Sequence, residues 1–157
     1  MGSSFVTVDG QHGFWAVDSI HELWIWLVAL NIDASREPPA SPVVELRNSW
    51  LTAGMMSLGG VVYNQLDRFM AQPEAADAIR SATAKLRTKL IKAPDFIHVD
   101  AFNLAGFDTD WIDCIPREGL LAFAEAWTSL LDGKIGTTAS HSYKLGFTSR
   151  RGDHLPD

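Results

Sequence analysis

The sequence predicts a mainly α-helical fold, a single domain over residues 1–157 built as a bundle of four to five helices with a short amino-terminal β-hairpin. Three observations carry this expectation. Apolar side chains recur at helical spacing in several separate segments. The run "HELWIWLVAL" at 21–30 is apolar on every side of a helical cylinder, the pattern of a central helix. No repeat, and no Gly/Ser-rich or Pro-rich linker, divides the 157 residues into two cores.

The opening "SSFVTVDGQHGFWAV" sets β-branched and aromatic residues on either side of Asp9, Gly10 and Gly13, the composition of a hairpin. A first helix is expected from Ser19 to Asn31, with Ser19 and Glu22 forming a capping box. His21-Glu22 opens like the zinc motif HExxH, but the second histidine is replaced by Ile25, so no two imidazoles share a face. The apolar run also stops at Asn31 and Asp33, short of the roughly 20 residues that span a bilayer.

After the proline-punctuated connector "NIDASREPPASP", Ser41 caps a second helix with Pro42 at its first position. Val43, Leu46, Trp50 and Ala53 form its inner stripe, and Gly54 is placed to end it. Val62, Leu66, Phe69 and Met70 have the spacing of a third amphipathic helix, closed by Pro73. The fourth is the clearest: Ala75, Ile79, Ala82, Leu86 and Leu90 share one face, with Glu74 and Asp77 early and Lys89 and Lys92 late, as the helix dipole favours. A last helix runs from about Pro116 to Leu131 with Leu120, Phe123, Ala124, Trp127 and Leu131 inward, and Asp113 stands ahead of it as a candidate cap. Residues 132–157 lack a sustained period and are expected as a surface-hugging or partly ordered tail. Between the last two helices, residues 95–107 fit a strand or a short helix.

Composition narrows the class of protein. The 46% hydrophobic and 20% charged content is ordinary for a globular chain. The single cysteine, Cys114, cannot close an intrachain disulfide and is read as a small buried hydrophobe. No basic region followed by an apolar stretch opens the chain, so no secretion signal is read and a cytoplasmic location is expected. In that setting the tripeptide Arg151-Gly152-Asp153 is a chance occurrence. Six tryptophans are a large aromatic load, most of it core, with one or two available as interface anchors.

Charge is unevenly placed. Residues 73–94 carry five cations against two acids, a local net of +3 within a chain of −6, so the remainder sums to −9. That basic ridge lacks interleaved aromatics and is read as a solvated outer face; with an acidic chain, nucleic acid is not expected as a partner. The acids gather in "DFIHVDAFNLAGFDTDWIDCI", residues 95–115, where Asp95, Asp100, Asp108, Asp110 and Asp113 meet no Lys or Arg.

Three readings of this stretch compete. The carboxylates can be solvated loop residues. They can form a metal site, Asp108 and Asp110 with His98 and Asp100, although Trp111 and Ile112 follow where a calcium loop needs ligands and a glycine turn. Or they face a basic protein partner, with Phe102, Phe107 and Trp111 as apolar anchors. The last reading assigns Asp100, Phe107, Asp108, Asp110, Trp111 and Asp113 to partner binding.

No catalytic set, metal site or cofactor motif is assigned. Ser140, His141 and Ser142 adjoin in the tail, where adjacency is not geometry, and Gly59-Gly60 lacks the residues of a phosphate loop. A helical enzyme or small-ligand or metal-binding protein using His98 and nearby carboxylates stands as the alternative function.

In its single-domain length, its acidic balance, "FWAVDSIHELWIWL", "ELRNSWLTA" and the acidic 95–113 stretch, the chain resembles the small acidic immunity proteins that bacteria encode beside polymorphic or contact-dependent toxins. The resemblance is one of type and carries no functional residue over by position. It implies a protein that binds one toxin domain tightly in the cytoplasm and neutralises it, often by covering a basic nuclease active site.

Overall fold

Residues Ser3–Thr7 (β1) and Gly13–Val17 (β2) pair antiparallel in the register Ser3↔Val17 to Thr7↔Gly13. The computed structural model describes residues 2–56, 62–107, 111–141 and 144–145, the last pair by their backbone. Asp9 organises the hairpin turn. Its Oδ1 accepts from the N–H groups of Gln11 (2.8 Å) and His12 (2.7 Å), while Oδ2 lies 2.7 Å from His12 Nδ1. These contacts, His12 first, hold the Asp9 carboxyl well below the ordinary carboxylate range. Gly10 takes φ +77°, which a side chain would disfavour.

The first helix, α1 (Asp18–Leu30), leaves β2 directly, with the extended Val17 as its N-cap. The capping box expected at Ser19 and Glu22 is therefore not formed. With the strand running through Val17, Ser19 lies inside the first turn, its hydroxyl buried with no partner among the described residues. Asp18 is held instead by the hydroxyl of Ser4 from β1. Ten of the thirteen residues of α1 are buried, as a central helix requires.

Helix α2 (Pro42–Met55) starts at Ser41, whose Oγ accepts from the N–H of Val44 at 3.3 Å. Its stripe of Val43, Leu46, Trp50 and Ala53 is buried. Gly54 does not end the helix. It lies inside it, where α2 meets α1 so closely that an added Cβ would stand 2.6 Å from Cβ of Trp26.

The third helix is shorter than expected: α3 spans Leu66–Met70, and Val62 is buried ahead of it. Gln65 enters the left-handed region at φ 47°, which breaks the helical path, and Asn64 Oδ1 receives the N–H of Leu66 at 2.9 Å. Of the segment "LGGVVYNQLDRFM" that carries the helical spacing, residues 58–61 lie outside the described residues. Helix α4 (Pro73–Ile91) buries Ala75, Ile79, Ala82, Leu86 and Leu90 on its predicted face.

The segment left open by sequence is mixed, a strand β3 (Phe96–Ile97), a one-turn helix α5 (Asp100–Asn103) and a strand β4 (Ile115–Pro116). Helix α6 (Arg117–Leu131) follows with Pro116, not Asp113, at its N-cap. The tail turns back onto the hairpin: Gly13 N–H donates to Thr137 O (2.9 Å), Trp15 Nε1 to Ala139 O (2.7 Å), and β5 (Lys144–Leu145) adds parallel to β2. The sheet order is thus β1-β2-β5.

The architecture is mainly α, with α1 packed against α2 and α4, and α6 against α4. Its centre is aromatic. Phe123 lies 5.2 Å from Trp24, and Trp127 lies 6.1 Å from Trp24 and 5.8 Å from Trp50, mostly in edge or tilted geometry between ring centroids. Each fully buried Leu, Ile or Phe of this core contributes roughly 1.5–3 kcal/mol relative to exposure. No helix among the described residues is long and apolar enough to cross a membrane.

Candidate interaction surface

The chain leaves the bundle after α4 and re-enters it at α6, between Pro94 and Pro116. The two ends of this excursion are tied together. Phe96 pairs with Pro116 and Ile97 with Ile115, and the N–H of Arg117 donates to Asp95 O at 2.9 Å. The guanidinium of Arg117 adds bonds to Ala93 O (2.6 Å) and to Asp95 Oδ1 (2.5 Å). Further out, Asn103 clasps the backbone of Trp111: Oδ1 accepts from its N–H (2.7 Å) and Nδ2 donates to its carbonyl (2.9 Å). The described residues of this excursion, 95–107 and 111–117, therefore form a flap that is closed at its neck and has its own cross-link.

Aromatic side chains fasten the flap from beneath. Phe102 and Phe107 place their rings 6.4 and 5.1 Å from that of Trp26 on α1, and Trp111 is only 2% exposed. This corrects the expectation that Phe102, Phe107 and Trp111 are anchors facing a partner. A segment with two-residue strands and one helical turn needs an apolar underside to stay attached, and large rings removing roughly 150–250 Å² each supply it.

The carboxylates divide by position. Asp100 and Asp113 are exposed. Asp95 is exposed but engaged with Arg117. Asp108 and Asp110 lie outside the described residues. Asp100 Oδ2 stands 3.3 Å from His98 Nδ1, so the base-and-orienter pair considered from sequence does meet. Both side chains, however, are more than 70% exposed (71% and 77%), on open surface with no enclosing walls to exclude water. Among the described residues no group of three His, Cys, Asp or Glu side chains is placed to hold a metal ion.

Sequence reasoning missed the apolar residues that do face water here, Phe96 (65% exposed), Leu104 (89%) and Ile112. A signal existed. Phe102 and Leu104 stand two apart and cannot share a helical face, and Trp111 and Ile112 are neighbours, so burial of both members of each pair requires cover on two sides, as only a central element such as α1 has. Cys114 is likewise exposed and not buried. His141 Nδ1 lies 3.1 Å from Ser140 Oγ and 3.0 Å from Thr138 Oγ1 in an exposed turn against the hairpin, while Ser142 lies outside the described residues.

Comparisons of the chain with protein-family models, with curated proteins and with solved structures give no match.

Proposed function

We propose that this protein is a binding inhibitor that recognises a basic protein surface through residues 95–113, acting in the cytoplasm in the manner of the immunity proteins it resembles, with a toxin domain as its partner. One observation carries the reading: the flap is closed at its neck, pinned from within, and carries the Asp100 and Asp113 carboxylates together with the solvent-facing Phe96 and Leu104. Carboxylates on such a surface speed encounter with a cationic patch and reject acidic ones, and apolar side chains that lose water on contact slow dissociation. Because internal contacts already tie its neck and join Asn103 to Trp111, the described part of the flap has less freedom to lose on binding.

The test uses the product of the reading frame adjacent to the gene. Co-expression is expected to restore growth that this product alone arrests, and the purified pair is expected to bind with a nanomolar Kd. Changing Asp100, Asp108, Asp110 and Asp113 to Asn should slow association about tenfold or more at low salt. Leu104→Ser should mainly hasten dissociation, and at a site this exposed it leaves folding intact. Growth arrest that co-expression does not relieve would remove the inhibitor reading; unaltered binding in both variants would remove this surface.

A further inference from the structure

A cleft of about 320 Å³ lies between α4 and α6, away from the residues used above. Arg80, Thr83 and Arg87 line it from α4, and Thr128, Leu131 and Asp132 from α6 and its C-cap. The spacing of 80, 83 and 87 sets the three α4 side chains on one helical face. The first of them has a structural task. Arg80 Nη2 donates to Leu131 O (2.6 Å) and Nη1 to Asp132 Oδ1 (2.9 Å), which closes the carboxyl end of α6 and fixes the guanidinium at the rim.

The other two have no such task. Thr83 is 4% exposed, and its hydroxyl has no hydrogen-bond partner among the described residues. Thr88 and Thr128 give their hydroxyl protons to the carbonyls four residues back, Ala84 O at 3.0 Å and Ala124 O at 2.7 Å. Thr83 forgoes that bond and keeps a buried donor unused. Arg87 is exposed and makes no hydrogen bond or ion pair among the described residues. Asp132, the one carboxylate lining the cleft among the described residues, is shared between Arg80 and Lys134 (3.4 Å). Positive charge is therefore left in excess beside an unspent hydroxyl.

The geometry points to a binding site for a small oxyanion, a phosphate or carboxylate group on a metabolite-sized molecule, with Arg87 as its ion partner and Thr83 as its hydroxyl donor once the side chain turns about χ1 to bring the hydroxyl, closed to solvent as placed, to the cleft wall. A guanidinium fork matches either group with paired N–H bonds, and a hydroxyl supplies the third donor. The volume is at the small end for ligand sites, and among the described residues no aromatic platform for stacked bases lines it, which favours a compact anion over a nucleic-acid strand.

The full chain is titrated with sodium phosphate and, separately, with sodium citrate, each against sodium chloride at matched ionic strength, by calorimetry and by amide shifts of residues 80–87. Saturable binding of at least one oxyanion that chloride does not reproduce is expected, and the stronger of the two identifies the group. Arg87→Ala should weaken it tenfold or more, and Arg87→Lys should restore only part. Thr83→Val should weaken binding several-fold while raising the melting midpoint of the ligand-free protein, since it removes a buried unsatisfied hydroxyl. No saturable binding of either anion would overturn the proposal, as would binding that Arg87→Ala and Thr83→Val leave unchanged, the mark of ions screening the basic face of α4.

Discussion

The side-chain amide of Asn64 donates to Nε2 of His21 across 2.9 Å, tying the segment ahead of α3 to the middle of the bundle. Asn64 Oδ1 already receives the N–H of Leu66, so the amide nitrogen faces the ring and Nε2 must be the unprotonated acceptor. The ring proton then sits on Nδ1, which is buried without a partner among the described residues. Trp50 Nε1 adds a 2.6 Å bond to Asn64 O, so one asparagine anchors the segment at both its backbone and its side chain.

Protonating His21 would bury a charge and set donor against donor. Burial lowers its pKa from 6.5 to about 3. In the unfolded chain the same ring takes up a proton below about 6.5, so the unfolded state binds more protons over that interval. The stabilisation is present above pH 6.5 and is lost as the pH falls toward 3, at up to about 1.4 kcal/mol per pH unit. Urea unfolding at stepped pH should show this slope, and ¹⁵N shifts should report a neutral Nδ1–H imidazole at pH 4.5. A ring that titrates near 6.5 in the folded protein would refute the assignment.

Gly54 is a contact residue. A methyl group there would stand 2.6 Å from Cβ of Trp26 and 2.8 Å from Glu22 O, so α1 and α2 would have to separate. Alanine favours helix by about 1 kcal/mol over glycine, yet Gly54→Ala is expected to destabilise the protein by about 1–3 kcal/mol. Denaturant titration decides; a neutral or stabilising result would mean that the helices can part at no cost.

Two serines test the helix starts. Ser41→Ala removes the acceptor for the Val44 N–H and should cost about 1 kcal/mol. Ser19→Ala removes a hydroxyl that caps nothing and should be neutral or slightly stabilising. Equal losses in thermal unfolding would show that Ser19 does cap α1.

The contrast between these serines also shows what could be read in advance. In α4 and α2, local pattern and burial agree: Ile79, Leu86 and Leu46, Trp50 lie inward because a single apolar stripe leaves only one way to turn. At Ser19 the local motif was intact, but β2 runs through Val17 and moves the helix start, a constraint set by pairing with Ser3 and not by neighbouring residues. The 95–113 flap shows the same limit on the candidate surface. Its carboxylates were legible as a charge cluster, but which aromatics faced inward depended on Trp26, nearly eighty residues away in the chain. Arg117 just beyond the acidic run engages Asp95 through a turn that charge counting along the sequence did not include.

Because the departing and returning strands of residues 95–117 are joined at their base, the bundle experiences that region as a short connection whatever its contour length. Substitutions at outward-facing positions such as Leu104 and Ile112 are therefore expected to leave the helices on either side undisturbed. Such a surface can change its charge or shape while Phe102 and Phe107 keep it held to α1.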